Sequence, residues 1–326
     1  MKHTSTLGLL LTLSSVVACA PVDDLDGHST ASIVSGNSAS QFQWQRAALV
    51  IGTSGQYCTA TIIGSRHLLT ASHCRFSGGN ATAYFYTSAA QVDLSLARPV
   101  AGVLLDEGVR PSLSDFTASD GDFADFAVLA LSSDIPSTSR VATMAWSYPG
   151  SDATGIRVGA GRHDDEVNPA FSLETNDDET HSSSDDGGSF HTKRNETNNG
   201  DSGGAFYRQG TSHLLGVLYG SEVVGLTRRN LYTSVPAHLV TVLRMMNYTG
   251  SYTITQGGGV PQSYLGRFSA ESERACRYAC DHANGCRAFS FAPNVASPGS
   301  DGQCYLRESS TDAVLPWPNT VTGVRQ

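Results

Sequence analysis

The stretch Asn199-Gly200-Asp201-Ser202-Gly203-Gly204 constrains this chain more than any other. Three glycines around an aspartate and a serine suit a tight turn, because glycine reaches backbone angles that other residues avoid. Such a turn can converge backbone N–H groups beside the Ser202 hydroxyl, which is what a developing oxyanion needs. The same residue types also build ordinary surface turns, so the meaning of this one depends on partners elsewhere in the chain.

Those partners lie upstream, in the order His, Asp, Ser. Residues Cys58 to Cys74 read as a strand, a turn at Gly64-Ser65, a second strand and a short turn presenting His73, with a cysteine at each end. Further on, Asp125-Phe126-Ala127-Val128-Leu129-Ala130-Leu131 is an apolar run opened by a carboxylate, which sets an acid at the mouth of a buried strand. Asp122-Phe123-Ala124 competes for the role. Only Asp125 is followed by an unbroken apolar run, and Asp122 reads as a turn residue after Gly121. Short strands punctuated by turn residues recur through to Gly161, a rhythm that suggests an all-β barrel or sandwich.

Together the three pieces resemble the trypsin/chymotrypsin-like serine proteases. The family's T-A-x-H-C appears as Thr70 to Cys74, its D-[IFL]-A-[LV]-L as Asp125 to Leu129, and its G-D-S-G-G as Gly200 to Gly204. The resemblance implies an all-β fold of two six-stranded antiparallel barrels with a closing helix, a catalytic His73, Asp125 and Ser202 at their junction, and an oxyanion hole from the N–H groups of Gly200 and Ser202. It implies hydrolysis of protein or peptide substrates through an acyl-enzyme, without a cofactor. It also implies a Cys58–Cys74 bond, which closes a loop of about 16 residues and is worth roughly 3 kcal/mol by loop entropy. The rival from another class is a catalytically silent homologue that acts by binding a protein or glycan.

At 326 residues the chain has room for one large and one small domain. Its net charge of −9 and the lack of a basic stripe exclude an ordinary nucleic-acid binder. Seven cysteines stand at 19, 58, 74, 276, 280, 286 and 304, and the first twenty residues account for the odd one. Lys2 and His3 precede an apolar stretch, Leu7 to Leu13, that ends in Ser-Ser-Val-Val-Ala-Cys-Ala: a secretory signal layout, too short to span a membrane. Two outcomes follow. Val16-Val17-Ala18-Cys19 resembles a bacterial lipobox, implying acylation of Cys19 and an outer-surface or periplasmic lipid anchor as the sole membrane contact. Cleavage after Ala20 implies plain secretion, although it leaves Pro21 first. With 1–19 as signal, six cysteines remain, an even number for an oxidising compartment.

Residues 20–32 are polar and acidic and read as a pro-segment, and 33–250 as the peptidase domain. Ile33-Val34-Ser35-Gly36 is similar to the I-V-G-G start of mature family enzymes. That likeness implies a zymogen in which the freed Ile33 amine pairs with Asp201. Ser32 precedes the bond where the family offers Arg or Lys, so a trypsin-type activator is not expected.

Specificity by resemblance falls on Glu196, six residues before Ser202, and on Tyr219 and Gly220 in the strand His213 to Ser221. A carboxylate at Glu196 favours Arg or Lys substrates by charge pairing, the alternative being a solvated loop acid. Asn198 stands where the family has a cysteine, leaving the pocket wall unstapled. Residues 164–189 carry nine carboxylates and no Lys or Arg. They read as a solvated loop, with a calcium site as the competing reading.

Pro236 followed by apolar residues at 239, 240, 243 and 246 predicts an amphipathic helix. Residues 251–260, with Gly257-Gly258-Gly259, read as a linker. In 261–326, Cys276 and Cys280 fall on one face of a short helix capped by Ser269, followed by Cys286, Phe289-Ser290-Phe291 and Cys304-Tyr305-Leu306. Four cysteines permit three pairings. The pattern resembles a PAN/apple-type module, a resemblance that implies Cys276–Cys304 and Cys280–Cys286 and a protein or glycan ligand.

Overall fold

The computed structural model describes residues 37–74, 76, 78–104, 124–147, 154–161, 171–183, 188–192, 197, 199–224, 227–248, 250–270, 272–294, 302–309, 314–316 and 319–326. Six antiparallel strands form the first unit: β1 (Ala47–Gly52), β2 (Tyr57–Gly64), β3 (His67–Thr70), β4 (Ala81–Ser88), β5 (Gln91–Leu104) and β6 (Ala127–Leu131). They close into a barrel in the order β1-β2-β3-β6-β5-β4. Alternate residues serve two cores, as the two-residue period of a strand requires. Ala48, Val50, Ala60, Ile62, Leu68 and Leu129 fill the barrel, while Leu49, Ile63, Leu69 and Val128 face a second, larger cluster. Burial on both faces is why β1 and β6 read as continuous apolar runs.

The second unit holds β7 (Thr154–Gly159), β8 (Glu174–Ser183), β9 (Ser189–Thr192), β10 (Ala205–Arg208), β11 (His213–Val224) and β12 (Thr227–Ser234). The path β8-β9-β12-β11-β10-β7 is joined end to end by pairing of β7 with β8, so six strands again run round a ring. Asn37–Ser38 and Thr143–Met144 attach to it as short additions. One expectation is corrected here: residues 174–183, read as part of a solvated acidic loop, are a strand. Glu174, Thr175 and Asn176 pair with Gly159, Val158 and Arg157, and a bulge precedes Glu179. Its composition disfavours a strand, but neighbours on both sides take up its backbone groups, and this tertiary demand overrides local preference.

Helix α1 (Val235–Met245) follows, with Pro236 in its first turn and Leu239, Val242 and Leu243 buried. The C-terminal module contains β13 (Tyr252–Gln256), β14 (Gly266–Ala270), α2 (Glu273–His282), β15 (Ala288–Ala292), β16 (Gly302–Arg307) and β17 (Val321–Arg325), in sheet order β13-β17-β15-β16-β14. Strand β13 comes from the stretch expected to be linker. Its Tyr-Thr-Ile-Thr run pairs along its whole length with β17. The disulfides are Cys58–Cys74, Cys276–Cys304 and Cys280–Cys286, the pairings implied by resemblance.

Module and barrels share one hydrophobic cluster that runs from Leu214 and Val217 through Leu239 and Leu243 to Ala275, Tyr278 and Phe289. At the joint, the Met144 N–H donates to the Tyr278 hydroxyl oxygen at 2.7 Å, a buried bond between residues 134 apart. Asp281 on α2 accepts from Tyr252 at 3.0 Å and from Tyr248, and it pairs with Arg325 at 3.4 Å. The module is therefore seated, not tethered. Replacing Tyr278 by Phe keeps the ring and strands the Met144 N–H. Leaving a buried donor unmet costs about 1–3 kcal/mol, which for a chain of this size lowers Tm by roughly 2–8 °C. Scanning calorimetry of the two proteins reads the shift, and equal Tm values would mean the joint carries no stability.

Candidate active site

His73 sits in the 3-10 turn Ser72–Cys74, directly after β3 and pinned to β2 by the Cys58–Cys74 bond. Asp125 stands two residues before β6, and its backbone oxygen accepts from Thr233 of β12 at 3.2 Å, tying it to the second ring of strands. Ser202 occupies the turn before β10. The fold brings the three side chains into one row: His73 Nδ1 is 2.7 Å from Asp125 Oδ2, and His73 Nε2 is 2.8 Å from Ser202 Oγ, across separations of 52 and 129 residues.

The turn carrying Ser202 is held by the first barrel. The Thr59 N–H donates to both Gly200 O and Ser202 O, at 3.0 and 2.9 Å. Its hydroxyl donates to Gly200 O at 2.8 Å and accepts from the Ala160 N–H at 2.9 Å. Gly200 and Gly203 adopt φ of 96° and 81°. A Cβ at Gly203 would meet Thr59 O and Thr70 Oγ1, and one at Gly200 would meet the Tyr57 ring. Only glycine satisfies both the angle and the space. Among the described residues, neither the Gly200 nor the Ser202 N–H is engaged by an acceptor, and both lie in the turn that presents the hydroxyl.

Asp201 is 1 % exposed and accepts from the Gly161 N–H at 2.6 Å. Its carboxylate occupies the room that side chains at 159 and 161 would fill, since a Cβ at Gly161 would come within 2.5 Å of it. Tyr86 lies nearby and donates to Phe171 O at 2.9 Å. Burial, then the Asp201 charge, then Tyr57, push the Tyr86 phenol upward, so it stays a neutral donor.

Asp125 is 5 % exposed. Burial opposes its charge, but the electrostatic interaction with the His73 ring, together with hydrogen bonds from that ring, the Ser72 hydroxyl and the His73 N–H, outweighs burial and holds the carboxyl below its ordinary value. The Ser72 hydroxyl donates to Oδ1 at 2.6 Å and the His73 N–H to the same atom at 3.0 Å. An ionised carboxylate only accepts, so Nδ1 carries the imidazole proton and Nε2 is left to accept from Ser202.

Tyr219 and Gly220 lie on β11, where the register with β12 shifts between Leu218 and Gly220, so that Gly220 stands opposite Leu231. The strand is joined to the serine turn by the Gly203 N–H, which donates to Leu218 O at 2.8 Å. Glu196, Ser32, Ile33 and Cys19 lie outside the described residues, as do Asp122 and the acidic residues 164–166, 185 and 186. Among the described residues no group of three or more His, Cys, Asp or Glu is placed to hold a metal ion. Likewise, no described helix is long and apolar enough to cross a membrane. Sequence reading missed Ser72 and Thr59. The first had a visible signal, a hydroxyl residue directly before the imidazole; the second depends on strands meeting in space and had none.

Residues 33–242 match the family model for trypsin. The chain belongs to the trypsin family. Within this trypsin-family chain, residues 258–307 match the PAN domain. Among solved structures it resembles neuropsin, a serine protease expressed in the limbic system of mouse brain, at 16% identity and TM-score 0.53, covering 65% of this chain and 99% of that one. It also resembles a scabies mite inactivated protease paralogue, at 16% identity and TM-score 0.50, covering 66% and 99%. At that identity the likeness shows the fold alone. No curated protein matches the chain.

The depressed Asp125 carboxyl gives a signed prediction. Its ionised form contributes stability that is present above the unfolded value of about 3.9 and is lost as pH falls through the lower folded value. Urea melts of the wild type and of Asp125→Asn should differ at pH 7, and the gap should close at pH values below the ordinary carboxylate range. A gap that holds constant down to such pH would show that the charge is not stabilised in the fold.

Proposed function

We propose that this protein is a secreted serine endopeptidase in which His73, Asp125 and Ser202 form the catalytic triad. The observation that carries the reading is the unbroken row from Asp125 Oδ2 through the His73 ring to Ser202 Oγ, at 2.7 and 2.8 Å. Because the fold is shared with an inactivated paralogue, that row supports activity where the fold does not.

The chemistry follows from the row. As Ser202 Oγ attacks a peptide carbonyl carbon, its proton passes to His73 Nε2, and Asp125 offsets the positive charge on the ring. The tetrahedral oxyanion is bound by the N–H groups of Gly200 and Ser202. The C–N bond then breaks, with the leaving amine taking the proton from Nε2. Water attacks the acyl-enzyme by the same route in reverse, and the carboxylic acid leaves. No cofactor takes part.

Two further elements belong to the proposal. Three disulfides support an oxidising compartment, and the PAN module supports binding of a protein. The protein is made as a zymogen, cut at Ser32–Ile33, after which the Ile33 amine pairs with Asp201. The buried carboxylate of Asp201, in a recess kept open by Gly159 and Gly161, supports that step.

A fluorophosphonate probe should label Ser202, and Ser202→Ala should abolish labelling and lower hydrolysis of a peptide reporter by a factor on the order of 10⁶. Hydrolysis that survives the substitution would remove Ser202 from the mechanism. Terminal sequencing of active material should begin at Ile33; an active form that still carries residues 20–32 would contradict the zymogen step.

A further inference from the structure

The Asp125 carboxylate is gripped by a single turn of chain. Ser72 Oγ–H and the His73 N–H both donate to Oδ1, at 2.6 and 3.0 Å, and the His73 ring donates to Oδ2 at 2.7 Å. Among the described residues nothing else donates to that carboxylate, and no titratable group other than His73 acts on its charge. Strand β6, which Asp125 precedes, supplies no donor. The torsion that turns a carboxylate about its own axis is broad and roughly two-fold, so one N–H to each oxygen leaves the plane loosely set. A second donor on Oδ1 fixes it. Ser72 is 8 % exposed, so water is a poor substitute for its hydroxyl.

We propose that Ser72 is a positioning residue: its hydroxyl locks the rotation of the Asp125 carboxylate, and through it the orientation of the His73 ring. The role in turnover rests on the hydrolase reading above. The role in geometry does not. Ser72 acts through Asp125 and touches no reacting atom. It adds a second hydroxyl to the row, this one serving the acid and not the substrate.

The experiment compares the processed wild-type protein with Ser72→Ala and Ser72→Thr. A hydrogen bond to a charged group is large enough that kcat for a peptide ester should fall about tenfold or more in the Ala variant, with KM unchanged. The downfield proton NMR signal of His73 Nδ1–H should weaken, and its loss on acidification should begin at a higher pH, because the ionised carboxylate has lost a donor. Ser72→Thr, which keeps a hydroxyl, should recover both. An Ala variant with unchanged kcat and unchanged Nδ1 signal overturns the proposal. So do Ala and Thr variants that lose both equally, which would make Ser72 a packing residue of the turn. The NMR readout needs no turnover. A wild type that shows the Nδ1 signal yet neither hydrolyses peptides nor takes the fluorophosphonate fails the hydrolase reading, while the response of that signal to Ser72→Ala still decides the role of Ser72.

Discussion

Two carboxylates, those of Asp125 and Asp201, are buried to 5 % and 1 % exposure, and the middle of the structure is arranged to make that tolerable. A buried charge without partners costs several kcal/mol, so each must be met by donors that the fold already holds in place. For Asp125 the donors come from the turn after β3, and for Asp201 one comes from the Gly161 backbone. Each carboxylate takes these donors from its own side of the seam, while the backbone that carries it is tied across. Asp125 belongs by sequence to the first and is tied to Thr233 of the second, while Asp201 lies in the second, on a turn clasped by Thr59 of the first. The seam between the barrels is thus crossed by polar ties as well as apolar contact, and Ser202 lies beside them.

The apolar side of the same seam extends further than two barrels. Leu49, Leu69 and Val128 leave the first barrel to join Val158, Ala205 and Val217 of the second, and the cluster continues under α1 into the C-terminal module. Because α1 packs against both β11 and α2, the module covers apolar surface that would otherwise face water. Within the module Cys276–Cys304 staples β16 to α2, and Cys280–Cys286 ties α2 to the loop after it. Asp281 then ties that helix to β13 and β17, so the chain leaving α1 returns to the sheet without slack.

What was legible in the sequence follows from how local each feature is. The glycines at 200 and 203 are required by backbone angle, so they announce themselves beside Ser202 without any knowledge of the fold. Asp125 could be chosen over Asp122 because burial on both faces of β6 forces an unbroken apolar run. The cysteine pairings came through resemblance, since spacing alone leaves three. Residues 174–183 misled because a strand held by neighbours on both edges does not need its own β-formers, and Glu, Asn and Asp are accepted there. Thr59 was invisible for the opposite reason. It lies in a run of ordinary strand residues, and only the approach of a turn 141 positions away gives it a task.

Thr59 also shows why the row of side chains is precise enough for chemistry. The proposed proton transfer from Ser202 to His73 would need the two atoms at hydrogen-bond distance beforehand, each placed by something other than the other. His73 is set by a disulfide and by its bonds to Asp125, all on the first barrel side. The Ser202 turn is set by the strand carrying Leu218 from one direction and by Thr59 from the other. Since Thr59 directly follows Cys58, the residue bonded to Cys74, the anchor of the imidazole and the clasp of the hydroxyl are neighbours on one strand. The separation of the imidazole and the hydroxyl is therefore set by that short piece of β2 together with the Leu218 strand that grips the serine turn from the other side.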